Sequence, residues 1–585
     1  MKAADPYRGR CLAVAVLLML GFVAVLFRLF DLQILQAAEL TAKADRQHRK
    51  SVTIEGARGG IQDRHGKVLA MNMDVPSVFG VPTSLDDPSS VARDLAQVLP
   101  VRAVEIEKRL KQDRSFVWIA RKLDPEQGRQ VEALSLGGIG TVLEGRRFYP
   151  KGPLLAHVLG FAGLDGQGLE GVERRYEQVL HGDKQLVIME RDALGRTVFP
   201  KGLTEQGPTP GHTITLTIDE VIQYIAEKEL EEMVAATRAK GGIVIAMEPR
   251  TGAILALAVS PRFDPNSVRD LSADRWRNRA LTDAYEPGST MKIFVAAAAL
   301  EEKRMAPDSL IFAENGAFQV ANTVIHDHEK MGWITFAQMI QKSSNIGAAK
   351  TGIALGQEDL YRYLKAFGFG ERTEIDLSGE MAGLLKDPRQ WGKRSLASIS
   401  MGQEVGVTPL QLVTAMSAVA NGGWLMKPYI VSSIRDASGK VVAEQGSQVR
   451  RRPISLETAQ TLTGILEGAV TKGTGIRAAV PGYRVAGKTG TAQKIDPKSG
   501  HYSPTLFVGS FVGFVPADHP KLAIVAVIDE PHAEAWGGVV AAPVFRRIAE
   551  QALPYLGVPA GEPVKVAFTL EPGVGVGESV RVQEQ

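Results

Sequence analysis

The sequence predicts an α+β protein in which one antiparallel sheet is assembled from two distant parts of the chain. Strand-like apolar runs at 241–249 and 252–260 flank a Pro-Arg-Thr-Gly turn. Three more runs, at 483–487, 506–516 and 521–529, follow some 200 residues later. Long helical patterns fill most of the chain between these two groups of strands. Strands at both ends with helices between them predict a sheet with a helical subdomain inserted.

Size and composition set the first limits on function. At 585 residues the chain exceeds a single hydrophobic core, so we expect more than one domain. The composition is that of an ordinary globular protein, with 44% hydrophobic and 23% charged residues. The 68 basic and 65 acidic residues give a net charge of +3 without a long basic run, so nucleic acid is not an expected partner. The single cysteine, Cys11, excludes an intramolecular disulfide.

An N-terminal stretch, residues 11–27, contains seventeen residues without a charge or a proline. As a helix it covers about 25 Å, enough to cross a bilayer once the flanking residues contribute. Lys2, Arg8 and Arg10 precede it, and this basic head predicts that residues 1–10 stay in the cytoplasm while the rest is exported.

A cleaved signal peptide is the alternative interpretation of this stretch. Such a peptide has an apolar core of about 7–15 residues followed by a small-x-small cleavage site. The sequence "ILQAAEL" places Leu35 or Gln36 three residues before the cut, which fits cleavage poorly. We therefore expect an uncleaved, single-span anchor over residues 11–30.

The exported part begins with short strands and turns and then changes pattern. Helical patterns at 88–112, 124–134 and 169–180 interrupt the first region, and a Pro/Gly-rich join at 204–212 predicts a domain boundary. The predicted organisation is a cytoplasmic head (1–10), an anchor (11–30), a juxtamembrane segment with a mostly β domain (31–210), an α+β domain (211–555) and a loosely ordered tail (556–585).

The stretch "EPGSTMKIFVAAAAL" places Lys292 on an almost wholly apolar helix, three residues after Ser289. Residues three apart share a helix face, so the hydroxyl and the amine can meet. A serine hydroxyl becomes a useful nucleophile when an adjacent base takes its proton. Lys292 could be that base if burial and a neighbouring cation lower its pKa. A snorkelling lysine is the alternative, because about one or two S-x-x-K strings arise by chance in a chain of this length.

A second candidate element is Ser343-Ser344-Asn345 at the start of another predicted helix. Helix N-capping would account for these residues without any catalytic role. In the functional interpretation, the Ser343 hydroxyl and the Asn345 amide lie beside the nucleophile, where they shuttle a proton and hold a substrate amide.

The third element, Lys-Thr-Gly, occurs twice. Lys350-Thr351-Gly352 follows Asn345 by only five residues, too close to form an independent wall of the same site. Residues 488–491 follow a strand-like run, where alternate side chains can face a cleft and Gly490 lets a substrate lie against the backbone. We take residues 488–491 as functional and residues 350–352 as packing.

Two other motifs could suggest a bound ligand, but neither predicts one. "GQGLEG" at 166–171 fits G-x-G-x-x-G, but Asp183 comes too soon to contact a ribose and no βαβ repeat follows. "HDHE" at 326–329 lacks a distant set of ligands and is interpreted as solvated surface rather than a metal site. No metal or cofactor is therefore expected.

S-x-x-K, S-x-N and K-T-G, in this order and spacing, form the signature of the penicillin-recognising serine acyl transferases. Further stretches, among them "RGGIQDRHGKVLA", "GLEGVERRYEQVLHG", "MEPRTGAILALAVSPRFDPN" and "AGKTGTAQK", resemble the class B penicillin-binding proteins, the monofunctional peptidoglycan transpeptidases. The resemblance spans about 58–550. It implies an elongated, mostly β pedestal domain of the dimerisation type within 31–210 and a transpeptidase domain within 211–555.

The resemblance also implies a reaction. Ser289 would attack the carbonyl of the penultimate D-Ala of a stem peptide, and an amine of a neighbouring stem would take the acyl group from the enzyme. The implied roles are acylation base for Lys292, proton transfer and orientation for Ser343 and Asn345, positive charge for Lys488, carboxylate binding for the Thr489 and Thr491 hydroxyls, and an oxyanion hole from the backbone N–H groups of Ser289 and Thr491.

Within the family, "RNRALTDAYEPGST" looks more like the division (septal) branch than the elongation branch. The resemblance implies covalent inhibition by β-lactams, a single-pass location in the bacterial inner membrane with the catalytic domain periplasmic, and work beside a membrane glycosyltransferase and other division proteins. Alternatives are a D,D-carboxypeptidase or β-lactam-hydrolysing relative and a non-enzymatic scaffold. One departure is Glu404 in "MGQEVGVTP", where the family pattern G-x-G has glycine, so the shape of this loop is in question.

Overall fold

The structure is a computed structural model that describes residues 6–114, 116–191, 197–198, 208–267, 272–496 and 498–561. The chain divides into two compact units, one within residues 1–57 and 181–211 and the other within 58–180 and 212–585. Residues 204–207 of the predicted join at 204–212, and the predicted loose tail beyond residue 561, lie outside the described residues.

The strands in chain order are β1 (Arg49–Glu55), β2 (Ile61–Gln62), β3 (Val68–Gly80), β4 (Val117–Ala120), β5 (Ile139–Phe148), β6 (Lys184–Arg191), β7 (Thr197–Val198), β8 (Thr213–Leu216), β9 (Gly241–Met247), β10 (Ile254–Ser260), β11 (Leu310–Phe312), β12 (Ala317–Val320), β13 (Thr323–His326), β14 (Trp333–Thr335), β15 (Leu425–Met426), β16 (Val431–Arg435), β17 (Val441–Glu444), β18 (Val449–Arg451), β19 (Ala486–Ile495), β20 (Tyr502–Val515) and β21 (Leu522–Asp529).

The α-helices in chain order are α1 (Pro6–Phe30), α2 (Ala37–His48), α3 (Pro88–Val98), α4 (Ala103–Leu110), α5 (Pro125–Ala133), α6 (Ala156–Leu159), α7 (Gly171–Arg175), α8 (Glu177–Leu180), α9 (Glu220–Thr237), α10 (Ala273–Trp276), α11 (Arg279–Thr282), α12 (Lys292–Glu301), α13 (Phe336–Gln341), α14 (Asn345–Leu355), α15 (Gln357–Ala366), α16 (Ser395–Ser400), α17 (Pro409–Ala420), α18 (Leu456–Thr471), α19 (Gly537–Val540) and α20 (Ala542–Tyr555).

The first unit contains the apolar N-terminal helix and a small sheet. Helix α1 continues through a π-helical turn, and the stretch Arg8–Leu35 is long and apolar enough to cross a membrane. Its side chains are exposed from Arg8 to Phe30, as those of an apolar helix are when lipid surrounds it. Strands β1, β6 and β7 pair in that order as an antiparallel sheet. The predicted anchor, residues 11–30, lies within the apolar stretch.

The second unit is built on a five-stranded sheet of order β10-β9-β21-β20-β19, and every neighbouring pair in it is antiparallel. Two of its strands precede the helical region and three follow it, so the predicted fold class is confirmed. Along β9 alternate side chains enter different cores, and Ile245 packs with α12 and α17 while Val244 packs with α9 and α20. Because helices cover both faces, these strands are apolar throughout.

Helices α12 and α17 form the centre of the core on one side of this sheet. From Lys292 to Ala299 every residue of α12 is buried, and α17 is buried from Pro409 to Val419. Helix α17 begins with a capping box between Thr408 and Gln411 and with proline at its first position. A helix that is apolar all round has to be packed on every side. Because α12 is packed in this way, the residues at its N-terminus are held in a fixed position.

A second sheet joins the early and late parts of this unit. Its order is β17-β16-β8-β2-β3-β4, and β5 pairs with β3. Strand β2 lies parallel to β8, with Ile61 opposite Ile214. Residues 58–180 therefore share a compact unit with the chain after residue 212. The domain limits 31–210 and 211–555 stay predictions.

A buried charge cluster stabilises this part of the second unit. Glu173 is fully buried and accepts hydrogen bonds from Arg58 Nε (2.7 Å) and Arg147 Nε (2.5 Å). Gly168 of the 166–171 motif makes room for the Glu173 backbone, since a Cβ at Gly168 would lie 2.0 Å from the Glu173 carbonyl oxygen. The motif thus allows two backbone segments to approach each other closely.

Replacing Glu173 with Gln is expected to lower the free energy of unfolding by about 3 kcal/mol, because the buried Arg147 guanidinium would lose its carboxylate partner and Arg58 would keep only Glu177. Thermal or denaturant unfolding of the full chain measures the change. Glu105→Gln is the matched control, since Glu105 pairs with Arg102 on the exposed surface of α4 and its loss should not shift unfolding measurably. Equal stability of the two variants would contradict a structural role for the cluster.

Candidate active site

Ser289 and Lys292 lie at the N-terminal end of the buried helix α12. Ser289 belongs to a 3-10 turn, Gly288–Met291, and α12 begins at Lys292. Ser289 is half-buried and borders a cleft of about 1650 Å³, whereas Lys292 is completely buried. The packed helix therefore holds a hydroxyl at the wall of the cleft and an amine one turn further in.

The Lys292 amine is held by the second motif. Its Nζ donates to the Ser343 carbonyl oxygen (2.6 Å) and to Asn345 Oδ1 (2.8 Å), with the Ser343 hydroxyl at 3.4 Å. Burial lowers the pKa of Lys292 to about 7, against the opposing effect of the Asp327 carboxylate. Within the described residues no hydrogen bond joins Lys292 to the Ser289 hydroxyl.

The serine-serine-asparagine turn serves both purposes that its sequence allows. Ser344 is the N-cap of α14 and accepts a hydrogen bond from the Gly347 N–H (2.9 Å). Its neighbours on either side, Ser343 and Asn345, both border the cleft. Ser343 has a φ of 61°, in the left-handed region that non-glycine residues seldom adopt. Ser344 thus caps the helix, while Ser343 and Asn345 of the same turn border the cleft.

The third motif lies on β19, the edge strand of the five-stranded sheet. Thr489 and Thr491, two residues apart, border the cleft. Lys488 is fully buried, and its Nζ lies 3.2–3.3 Å from the Thr489 carbonyl oxygen, the Thr489 hydroxyl and the Thr474 hydroxyl. Burial first, and then the charge of Lys292, hold the pKa of Lys488 well below its usual range. The lowering of a lysine pKa by a neighbouring cation, expected at Lys292, is therefore found at Lys488.

Three glycines bring the segments of the site together. A Cβ at Gly490 would lie 2.8 Å from the Pro287 carbonyl oxygen, and one at Gly288 would lie 2.6 Å from the Thr491 carbonyl oxygen. At Gly402 a Cβ would approach the Gly288 carbonyl oxygen to 2.0 Å. We call Gly288, Gly402 and Gly490 the glycine junction. It lets β19 lie directly against the turn that carries Ser289.

Replacing Gly490 with Ala is expected to slow acylation of Ser289 by about 100-fold, because the new Cβ separates β19 from the serine turn by a fraction of an ångström. The labelling rate with a fluorescent penicillin measures the effect. Gly464→Ala on helix α18 is the control, since nothing lies within 4 Å of its Cβ, and labelling there should be unchanged. An unchanged rate for Gly490→Ala would show that the close contact is dispensable.

The other Lys-Thr-Gly lies within α14 and has structural contacts. Lys350 donates to Glu314 Oε1 (2.6 Å) and to the Phe312 carbonyl oxygen (2.7 Å). Thr351 is buried and donates to the Gly347 carbonyl oxygen (2.8 Å). Residues 350–352 thus pack within their own region, as expected.

The interpretation of residues 326–329 as solvated surface holds for three of the four residues and fails for Asp327. His326, His328 and Glu329 are exposed, but they border the cleft. Asp327 is half-buried and accepts a hydrogen bond from the Ser344 hydroxyl (2.6 Å). Strand β13 places this stretch beside the Ser343–Asn345 turn, a contact that the spacing in sequence does not reveal.

Glu404 occupies a conformation that suits the glycine of the family pattern. Its φ is 58°, and its N–H donates to Glu286 Oε1 (2.8 Å) while its carboxylate accepts from the Ser395 hydroxyl (2.6 Å). Tyr502 donates to the same Glu286 carboxylate at 3.0 Å. Burial, and then the neighbouring Glu404 charge, raise the pKa of Glu286. These contacts hold the loop in a left-handed conformation without glycine.

Several residues around the cleft were not found by sequence reasoning. Thr474 bonds the Thr489 hydroxyl at 2.7 Å, and Glu286 and Tyr502 meet across 216 residues of chain. Only Asp327 could have been noticed in the sequence, as part of the polar stretch 326–329. Thr474, Glu286 and Tyr502 belong to no motif whose spacing indicates the site.

The fold and the site define a serine acyl transferase of the penicillin-recognising class, and comparison with known proteins agrees. Residues 242–550 match the family model described as the penicillin binding protein transpeptidase domain, and residues 53–216 match the penicillin-binding protein dimerisation domain. The chain belongs to the class B penicillin-binding proteins.

Individual relatives support this assignment over nearly the whole chain. Stage V sporulation protein D of Bacillus subtilis (strain 168) is 37% identical over 559 residues, covering 94% of this chain and 86% of that protein. Peptidoglycan D,D-transpeptidase FtsI of Escherichia coli (strain K12) is 31% identical over 547 residues, covering 92% and 89%. The crystal structure of penicillin binding protein 3 from Mycobacterium tuberculosis complexed with aztreonam has a TM-score of 0.70 and 28% identity, covering 88% of this chain and 100% of that one.

Proposed function

We propose that the protein is a peptidoglycan D,D-transpeptidase that cross-links stem peptides through an acyl-enzyme on Ser289 during septal cell-wall synthesis. The observation that carries the proposal is the meeting of three motifs, Ser289–Lys292, Ser343–Asn345 and Lys488–Thr491, around one cleft. The relatives named peptidoglycan D,D-transpeptidase support the substrate class, and the aztreonam complex supports inhibition by β-lactams.

The contacts of Lys292 support its role as the acylation base. A neutral amine has two N–H donors and one lone pair, and the Ser343 carbonyl oxygen and Asn345 Oδ1 accept from the two N–H groups. The lone pair is then free to take the Ser289 proton as Oγ bonds to the carbonyl carbon of the penultimate D-Ala. A pKa near 7 leaves about half of the amine neutral at pH 7.

The remaining steps use the wall formed by β19. The backbone N–H groups of Ser289 and Thr491 stabilise the negative oxygen of the tetrahedral intermediate, and each such donor contributes about 3 kcal/mol in comparable sites. The Thr489 and Thr491 hydroxyls bind the terminal carboxylate near the Lys488 amine. The C–N bond to the terminal D-Ala breaks, and its nitrogen takes the proton that left Ser289. An acceptor amine then attacks the ester, loses a proton and releases the Ser289 hydroxyl.

The N-terminal helix supports a membrane location. With its basic flank, Arg8 and Arg10 included, residues 11–30 cross the inner membrane once and place the catalytic unit in the periplasm. There the enzyme works beside a membrane glycosyltransferase that supplies uncross-linked strands, and beside other division proteins. Exchanging residues 11–30 for an unrelated span should weaken co-purification with the glycosyltransferase, and unchanged co-purification would remove this partner assignment.

Mass spectrometry of a penicillin adduct tests the chemistry. The adduct is expected on the peptide that contains Ser289, and an adduct elsewhere or none at all would overturn the assignment. Incubation with a stem-peptide donor and a diamino-acid acceptor then separates the outcomes. A cross-linked product supports transpeptidation, whereas release of D-Ala with hydrolysed donor alone indicates a carboxypeptidase.

A further inference from the structure

Asp327 holds the turn of the second motif from outside. Its Oδ1 accepts from the backbone N–H groups of Asn345 (2.5 Å) and Ile346 (3.0 Å), and its Oδ2 accepts from the Ser344 hydroxyl (2.6 Å). One carboxylate thus satisfies two free N–H groups at the start of α14 and the hydroxyl of its N-cap. Three charge-assisted bonds leave the turn little freedom to move.

The residue before Asp327 fixes the orientation of the Asn345 amide. Asn345 Nδ2 donates to the His326 carbonyl oxygen (2.9 Å), which turns Oδ1 toward Lys292 Nζ at 2.8 Å. The hairpin β12–β13 that carries both residues is anchored through Ile325, which packs against Ile346 of α14. The hairpin therefore determines which atom of the amide faces the buried amine.

The charge of Asp327 also acts on the amine. Its carboxylate opposes the effect of burial and raises the pKa of Lys292. Lys488 on β19 interacts electrostatically with Lys292, and the other titratable side chains that border the cleft are Glu286, His326, His328, Glu329, Lys342, Arg394, Glu404, Arg477 and Tyr502. A variant that neutralises Asp327 while keeping these groups changes one charge only.

We propose that Asp327 is a positioning residue for acylation, which holds the Ser343–Asn345 turn so that its two carbonyl oxygens bind Lys292 and leave the amine directed at Ser289. The proposal rests on the function proposed above. It assigns to the Asp327 contacts at the start of α14 an effect on Lys292 in addition to stabilising the helix. The Asp327 carboxylate contacts the turn, and Asp327 is not among the residues that line the cleft.

The test is the rate of acylation of the full-length protein by a fluorescent penicillin between about pH 5 and about pH 9. In Asp327→Asn the plateau rate should fall by about 10- to 100-fold, since the turn loses its strongest bonds. The midpoint of the rise with pH should move to lower pH, because Lys292 loses its proton more readily without a nearby negative charge. An unchanged plateau with an unchanged midpoint would overturn the proposal.

Two further variants make the test decisive. Asp87→Asn is the matched control, since Asp87 also accepts from two backbone N–H groups at a helix start, on α3, and its rate profile should equal that of the wild type. Ser344→Ala keeps the Asp327 charge, so it should lower the plateau without moving the midpoint. If Asp327→Asn does not fold, a wild-type plateau in Ser344→Ala overturns the proposal. An absent adduct in the wild type would refute the proposed function itself.

Discussion

Replacing Ser289 with Ala is expected to abolish covalent labelling by penicillin, with a loss of about 10⁶-fold in the acylation rate. The Ser289 side chain supplies the oxygen that bonds to the acyl carbon. The Ser343 hydroxyl, although 3.4 Å from the Lys292 amine, belongs to the turn before α14 and not to the turn before α12. Gel fluorescence after saturation with labelled penicillin, with intact-mass measurement, gives the result.

The control for this variant is Ser309→Ala. Ser309 accepts a hydrogen bond from the Ala306 N–H (2.8 Å) and is not among the cleft residues, so its loss should leave labelling unchanged. Stoichiometric labelling of Ser289→Ala would place the nucleophile elsewhere and remove the basis of the mechanism. Similar melting temperatures for both variants would show that folding does not cause the difference.

Replacing Lys292 with Met is expected to lower the acylation rate by about 10⁴-fold. Met matches the length and apolar character of the buried stem, so the helix should stay packed while the base is lost. The sign of the pH effect follows from the role of the amine. The neutral form accepts the proton, so the wild-type rate should rise with pH through about 7, where the pKa of Lys292 lies. The variant should lack this rise.

Lys350→Met is the matched control, because Lys350 also stands on a helix and belongs to a Lys-Thr-Gly, yet it pairs with Glu314 away from the cleft. Its rate and pH profile should equal those of the wild type. If Lys292→Met kept the rise with pH near 7, another group would have to be the base.

Much of the fold and of the candidate site could be predicted from short-range patterns in the sequence. The apolar runs at 241–260 and 506–529 predicted strands, and the five-stranded sheet contains these strands. The strands are apolar throughout because helices cover both faces of the sheet. The motif spacing placed Ser289, Asn345 and Thr491 around one cleft, and their side chains border it. Their catalytic roles stay predictions for the experiments above.

Contacts between distant segments could not be predicted in the same way. Glu173 meets Arg58 across 115 residues, and nothing in either local sequence indicates the pair. Asp327 meets the S-x-N turn only because a hairpin folds back onto α14. Such pairings depend on tertiary packing, which periodicity and motif spacing do not encode.

The glycine junction restricts how the enzyme could evolve under a drug. Any side chain at Gly288, Gly402 or Gly490 would push apart the backbone segments that form the site. A change there that dislodges an inhibitor also dislodges the natural peptide, so selection would discard it. Escape would have to begin where a side chain projects into the cleft without supporting the junction, as at Val320 and Val324.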